Sequence, residues 1–527
     1  MTSTDTRADA EARVPERSAG TGPARNGTII LLAAVGLVAA GVFVVARNAI
    51  VDDAYITLSY ARNLAFHLHW GLTAQETSNT QTSPLNAITL AVLTAIVRRP
   101  ILALGILYVV TNVLTAYGLL RVARVTRIAR WSAPLATALV LFNPLLGSAV
   151  GLEVALSAAL MALLLMAAVE ARPVQFGLYA GLLVLTRVEL VIFGVILLIG
   201  CSGVRRAWWK ALLMGAAVTL PWFAWSWVVL GSAVPDTMII KALQPPDSST
   251  FASYPFAMLS ATPLIGLLSF VPAVLGLLAL LTWLAARLLI RIQPQAEPVS
   301  GFVRRFTPIA LFGLAGVSHF VAYSVLKAPV FHWYYSWSII PLTFLLALAV
   351  GALAGPGRTS SDAIAASRRS AGAIVGSVLA LFVVAQGGFE ARQGIPWSQA
   401  PYNGNAATPA QYAAVGLGIR PLIGDHTVQS PGEVGTIAYF CDCRLLDMLS
   451  DRGVVPSYIE QAKQRSGGLG RMLIDLNFHF LEPNLKPGKA DFVISYSHDR
   501  PASGNYWPLT GPPWIGNGYN ILLPAAK

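Results

Sequence analysis

Apolar stretches of about 20 residues, the length that crosses a hydrocarbon layer of roughly 30 Å, recur from Thr28 to Phe389 of this 527-residue chain. In water, that many apolar segments leave too much surface uncovered for any folded domain. In lipid, each must close its own backbone hydrogen bonds, so each reads as a helix. Composition agrees: 55% of the residues are hydrophobic and 12% charged, with a mean hydropathy of +0.61, against roughly one-quarter charged in ordinary soluble domains. The expected fold is a polytopic α-helical membrane protein with eleven crossings, near 28–46, 101–120, 132–150, 154–170, 175–186, 188–202, 211–230, 263–286, 306–326, 337–354 and 371–389. Residues 1–27, rich in Ser, Thr, Ala, Pro and charge, read as a disordered cytoplasmic tail, and the span after them as a retained anchor.

From about Glu390 to Lys527 the pattern changes. Gly, Pro, Asn and Asp separate short apolar runs such as Phe492-Val493-Ile494, as in a small water-soluble α/β domain. Residues 28–389 are thus the membrane domain and 390–527 an extracytoplasmic one. Trp507, Trp514 and Tyr519 in this part either stack on sugar or fill its core. Cys441 and Cys443 are spaced too simply to identify a metal site or a disulfide.

The net charge of +12 does not point to nucleic acid, because the basic residues cluster in short connections between apolar spans, where they set orientation. With the tail containing Arg7, Arg13, Arg17 and Arg25 in the cytoplasm, Arg121 to Arg130, Arg172, Arg205, Arg206, Lys210, Arg287, Arg291, Arg304, Arg305, Arg358, Arg368 and Arg369 fall on the same side. Arg98-Arg99 falls outside. The apolar segment Pro84–Val97 before it is short, and reads as a helix in the outer interface rather than a crossing.

The same topology gathers most conspicuous ionisable residues of the membrane part at the opposite face: Asp52 and Asp53, Glu153, Arg187 and Glu189, Asp236 and Lys241, and His332 with Tyr334 and Tyr335. Charge at membrane depth costs a few kcal/mol per residue on insertion scales, so such a collection marks a functional site. Each member has a plainer reading. Asp52-Asp53 opens an amphipathic interfacial helix; Glu153 complements a helix dipole; Arg187 and Glu189 pair with each other; Trp333, Tyr334 and Tyr335 form an interfacial aromatic belt. The belt does not explain His332. No metal is required by this set, although Asp52, Asp53 and Glu153 would hold a divalent cation if they converged.

The ordered motifs carry a resemblance. Asp52-Asp53-Ala54-Tyr55-Ile56, Tyr60-Ala61-Arg62-Asn63-Leu64, Thr82-Ser83-Pro84-Leu85, Gly151-Leu152-Glu153, Thr186-Arg187-Val188-Glu189, Pro235-Asp236-Thr237 with Lys241, His332 to Tyr335, and Gly435-Thr436-Ile437-Ala438-Tyr439 followed by Leu446-Asp447 resemble the actinobacterial arabinofuranosyltransferases that add terminal β-(1→2) residues to cell-wall arabinan, within the GT-C class of membrane glycosyltransferases. The resemblance implies a GT-C fold with outer interfacial helices, a polyprenyl-phosphate sugar donor such as decaprenylphosphoryl-arabinofuranose, and a polysaccharide acceptor at the outer face of the plasma membrane. Glycosyl transfer passes through an oxocarbenium-like state, which calls for carboxylate near the anomeric carbon and cations near the departing phosphate. Asp52 or Asp53, Asp52 slightly preferred, is then the base or cation stabiliser, and Asp52→Asn is expected to abolish transfer. Glu153 is a further catalytic or orienting carboxylate. Arg187, Lys241, His332, Tyr334 and Tyr335 are candidates for the phosphate, with Glu189 and Asp236 orienting those cations or the sugar. Spacing leaves inversion and retention equally open. Three alternatives stand beside this reading: a GT-C enzyme using another lipid-linked sugar such as mannose, a transporter of a lipid-linked sugar, and a catalytically silent assembly protein.

Overall fold

The computed structural model describes residues 23–244, 249–292, 297–355, 362–513 and 515–526. The expectations for the tail before Pro23, for Arg358 and for Trp514 lie outside the described residues.

The expected crossings fall on helices, with 132–150 broken between α5 and α6. α1 (Pro23–Ala46) leads to α2 (Asp52–His67) and α3 (Pro84–Val97), which pack together beside its end, and α4 (Pro100–Thr126) returns. α5 (Ser132–Leu141) with the one-turn α6 (Pro144–Gly147), α7 (Val154–Val169), α8 (Pro173–Thr186) and α9 (Val191–Gly200) follow as shorter apolar helices. After the single turn α10 (Ser202–Arg205) comes α11 (Trp208–Trp225), extended by a wide turn over Ser226–Leu230. Short α12 (Thr237–Leu243) and α13 (Tyr254–Ala261) precede four long helices, α14 (Pro263–Ile292), α15 (Glu297–Val325), α16 (Ser336–Ala354) and α17 (Asp362–Ala391). Among the described residues seven helices are long and apolar enough to cross a bilayer. Prolines open α3, α4, α6 and α8, at the one position where a missing N–H costs the helix nothing.

α16 is the central helix, buried along nearly its whole length among α5, α14, α15 and α17. The opposite ends of the bundle are chemically distinct. At one end, Arg121 and Arg172 both pair with Glu170, at 2.6 and 3.1 Å, the Arg130 guanidinium donates to Thr28 Oγ1, and the Ala129 N–H donates to Gly351 O. This joins the turns after α4 and α7 to the start of α1 and the last turns of α16. At the other end, the connections after α1, α6, α8, α11 and α15 meet. Arg98 lies 5.0 Å over the Phe66 ring at the end of α2, so the turn between α3 and α4 sits with the second group.

Beyond α17 come α18 (Pro409–Ile423), β1 (Val428–Gln429), α19 (Gly435–Cys441), β2 (Leu445–Leu446), α20 (Val455–Arg465), α21 (Gly468–Asn477), β3 (Phe492–Ser497), β4 (Asn505–Thr510) and β5 (Asn517–Pro524). The strands form one sheet in the order β2-β1-β3-β5-β4. β1 is parallel to β2 and β3, and β5 runs antiparallel to β3 and β4, with Ile494 opposite Leu522. Buried Val415 and Ile419 of α18, Ile437 and Cys441 of α19, and Val428, Ile494 and Leu522 of the sheet make a second core, which also takes in Tyr60 and Trp70. Cys441 and Cys443 are joined in a disulfide, a structural role.

Candidate active site

α2 begins with two carboxylates on consecutive residues, and an α-helix turns about 100° per residue, so they face different surroundings. Asp52 faces α19. Its Oδ2 accepts from Gly435 N at 2.9 Å and its Oδ1 from Thr436 N at 2.7 Å, satisfying orphan N–H groups of a helix N-terminus with a negative charge. Burial pushes the Asp52 carboxyl up, against the pull of those N–H groups. Only glycine fits at the contact, because a Cβ on Gly435 would lie 2.0 Å from Asp52 O.

Asp53 instead lines a cleft of about 600 Å³, counting space open to solvent, at the end of the bundle where the second group of connections meets. Its walls include Asp53 and Thr57 of α2, Thr80 to Thr82, Glu153, Arg187, Lys241, Tyr334, and Asp447 and Ser450 from beyond α17. Burial raises the Asp53 carboxyl to about 6, Lys241 opposes that rise, and the charges of Asp52, Glu153 and Glu433 add to it.

Arg187 occupies the connection between α8 and α9 and is buried. Its Nε donates to Glu189 Oε1 at 2.6 Å, and its Nη1 to Glu153 Oε1 at 3.2 Å and Thr82 Oγ1 at 3.3 Å. The guanidinium lies against two neighbouring rings, 4.6 Å from the centroid of Tyr334 and 4.7 Å from that of Trp337, which are 5.8 Å from each other. Glu189 Oε1 also accepts from the Tyr323 hydroxyl of α15. Arg187 is therefore held by two adjacent rings and along one edge, while its Nη2 makes no hydrogen bond to a described residue. Glu153 occupies the N-cap of α7 without a cap bond. Its partner is Arg187.

Lys241, on α12, has its Nζ 4.7 Å from the Phe331 ring centroid and forms no ion pair with any described residue. The loop from Leu68 to Ser83 supplies the wall between α2 and α8. It is pinned by the Tyr60 hydroxyl, 2.6 Å from Ser78 Oγ and 2.8 Å from Thr80 Oγ1, by Asn79 Nδ2 donating to Ser232 O at 3.0 Å, and by Gln81 Nε2 donating to Thr57 Oγ1 at 2.9 Å.

Of the residues singled out from sequence, Asp53, Glu153, Arg187, Lys241 and Tyr334 line the cleft, and Glu189 backs Arg187. Besides Glu189, four do not line it. Asp52 is taken up by α19, so of the pair Asp53 is the one that faces the cleft. Asp236 is buried, its Oδ1 accepting from Ser232 Oγ at 2.6 Å and its backbone N–H donating to Asn79 O. Burial raises its carboxyl to about 6; it braces the loop. The ring of His332 packs edge-on against Trp333 and Tyr402, and Tyr335 stacks on Phe251 with its hydroxyl donating to Phe251 O. The four residues 332–335 form a 3₁₀ turn, which rotates about 120° per residue, so His332 and Tyr335 fall on one face and Tyr334 on another. With Asp52 turned away, Asp52, Asp53 and Glu153 do not converge, and no group of three or more His, Cys, Asp or Glu among the described residues could hold a metal ion.

Sequence reasoning did not place Thr80, Gln81, Thr82, Asp447 or Ser450 in the site. Asp447 follows β2 and is buried; its Oδ2 accepts from Leu449 N at 2.9 Å. Burial pushes its carboxyl up, against the pull of neighbouring backbone N–H groups. Its only signal was the Leu446-Asp447 motif.

No family model and no curated protein sequence matches the chain. Solved structures do. ArnT from Cupriavidus metallidurans in the apo state aligns over 94% of this chain and 98% of its own with a TM-score of 0.53 at 15% identity. The same protein bound to undecaprenyl phosphate aligns over 84% and 89%, with a TM-score of 0.50 at 16% identity. The arabinofuranosyltransferase AftD from Mycobacteria covers 95% of this chain and 40% of its own length at 14% identity, with a TM-score of 0.48, too distant to carry weight. The membrane bundle, its interfacial helices and the sheet-bearing C-terminal part together give this chain the GT-C fold.

Proposed function

We propose that the chain is a glycosyltransferase that takes a sugar from a polyprenyl-phosphate donor, and that the sugar is arabinofuranose, carried as decaprenylphosphoryl-arabinose and passed to a cell-wall arabinan. One observation carries the reading: Asp53, whose carboxyl burial raises to about 6, shares a cleft with Lys241, which forms no ion pair with a described residue, and with Arg187, whose Nη2 is open. The fold supports it, since ArnT, which shares it, binds undecaprenyl phosphate. The choice of arabinofuranose rests on the order of motifs in the sequence.

In this reading Asp53 takes the proton of the acceptor hydroxyl or stabilises the sugar cation. Lys241 and the Nη2 edge of Arg187 stabilise charge growing on the leaving phosphate. Glu153 and Glu189 keep Arg187 charged and in place, and Asp447 reaches the sugar or the acceptor. The chain needs no metal for these steps, so chelator should leave the rate unchanged. The N-terminus is cytoplasmic, and the cleft and residues 390–527 face outward from the plasma membrane. The test is transfer by the purified chain in nanodiscs, offered polyprenyl-phosphate arabinofuranose, mannose and other lipid-linked sugars in parallel. Transfer from the arabinofuranose donor alone supports the full reading. Transfer of mannose replaces the sugar, and no transfer from any donor overturns the enzyme reading.

A further inference from the structure

α21 has an apolar face that nothing in the protein covers. Leu469, Met472, Leu473 and Leu476 follow the i, i+3, i+4, i+7 spacing of one helix face and are 69, 57, 53 and 55% exposed. Phe480, 46% exposed, continues the stripe past the helix end. The polar face is engaged: Arg471 Nε donates to Lys463 O and Ser466 O at 2.9 and 3.1 Å, and Asp475 pairs with Lys463 Nζ at 2.6 Å, tying α21 to α20. Ile474 turns to the small core of Ile240, Val455, Ile459 and Leu481. A helix whose polar side chains are bonded to a neighbouring helix while a continuous apolar stripe is left uncovered is not patterned for water alone.

The position of that face identifies what covers it. The Trp227 indole N–H donates to Leu476 O at 2.8 Å, and its ring meets Phe480 edge-on at 4.9 Å. Trp227 belongs to the last turns of the α11 segment, a candidate membrane span running from Trp208 to Leu230. Val228 and Val229 beside it, like Leu212, Leu213 and Leu220 further along, are exposed, as the lipid-facing residues of a span are. Trp222, Trp225 and Trp227 mark the end of this helix as the level of the membrane–water boundary. The stripe on α21 is thus continuous with the lipid-facing surface of α11.

We infer that α21 is an interfacial helix, with Leu469, Met472, Leu473 and Leu476 set into the headgroup and acyl boundary of the leaflet that borders the cleft. The contact braces the cleft. Val234 N donates to Asn477 Oδ1 at 2.9 Å, Arg452 Nη2 donates to Leu230 O at 2.6 Å, and Ile240 packs with Val455 and Ile459. Those bonds join α20 and α21 to α12, which carries Lys241. Anchoring α21 in lipid fixes the height of the cation above the bilayer.

The test uses the full chain with Cys201→Ala, so that an introduced cysteine is the free thiol to be labelled. Bimane is attached at Leu469→Cys, at Leu473→Cys, or at Ser503→Cys in the exposed loop between β3 and β4. Each is reconstituted as one copy per nanodisc of phosphatidylcholine and phosphatidylglycerol, with and without lipid bearing a nitroxide at carbon 5. The inference requires loss of fluorescence at 469 and 473 on adding nitroxide lipid, and none at 503. Undiminished fluorescence at 469 and 473 overturns it. Shielding from aqueous quencher that needs two copies per disc also overturns it, in favour of a second copy of the chain. All three positions are exposed, so labelling does not threaten folding, and no outcome depends on transferase activity.

Discussion

Asp52 and Asp53 look interchangeable in the sequence, yet one holds two helices together and the other faces the cleft. The difference has measurable consequences. Asp53→Asn should lower kcat by about 10²–10⁴-fold, the usual worth of a positioned base, without loss of melting temperature. Asp52→Asn gives up charge-assisted bonds to Gly435 and Thr436, each worth about 1.5–3 kcal/mol, so it should lower the melting temperature and retain transfer. Equal loss of kcat in both variants, with stability unchanged in both, would return the role to Asp52. The Asp53 carboxyl, raised to about 6 from the model-compound 3.8, also fixes a pH dependence. Its protonated form is the one the fold prefers, so its contribution to stability is full below pH 3.8 and is lost as pH rises through about 6. Its ionised form is the one that works. Hence kcat/KM should rise tenfold per unit up to about pH 6 and then level off, while the wild-type melting temperature falls over the same interval relative to that of Asp53→Asn. Which residues carry charge was legible from their cost in a membrane; which way each points was not, because a one-residue step in α2 or in the 332–335 turn changes the direction by a third of a circle.

At the scale of elements, the apolar runs located the helices, seven of them among the described residues long enough to span, since lipid leaves a chain no alternative to helix, and the short segment Pro84–Val97 followed by Arg98-Arg99 was legible as a helix beside the site end. The loop between α2 and α3 was not. Its shape comes from Tyr60, Asn79 and Gln81 bonding to partners up to 153 positions away, and hydrogen bonds of that span leave no periodicity. The same holds for the seam between α2 and α19. There Gly435→Ala should be among the most damaging single-methyl changes in the chain: the new Cβ would lie 2.0 Å from Asp52 O, and backbone cannot rotate out of the way. We expect a loss of at least about 1–3 kcal/mol, read as a lower melting temperature, together with faster protease nicking near 430–450 and reduced transfer. Wild-type behaviour in both assays would mean that α19 does not press on α2.

For the whole molecule, basic residues in alternate connections predict two unlike ends, and the structure has them: one with Arg121, Arg130 and Arg172, the other with the cleft. The outward direction of the cleft is open to a direct check. In intact cells, Ser503→Cys should react with a membrane-impermeant maleimide while a cysteine replacing Arg124 stays unlabelled; the opposite result would invert the orientation. What no local pattern could tell is that the fold closes on itself end to end, so that Asp53, the first helix turn after α1, is walled by Asp447 and Ser450 from near the other terminus.

That closure sets an order on biogenesis. A growing chain inserts its helices one by one, and Asp53 is made 394 residues before Asp447 of the cleft's closing wall (447 − 53). The pocket around Asp53 is finished only when the stretch after β2 arrives and α19 caps onto Asp52. Until then the cleft is an open bowl that lacks the wall made by Asp447 and Ser450.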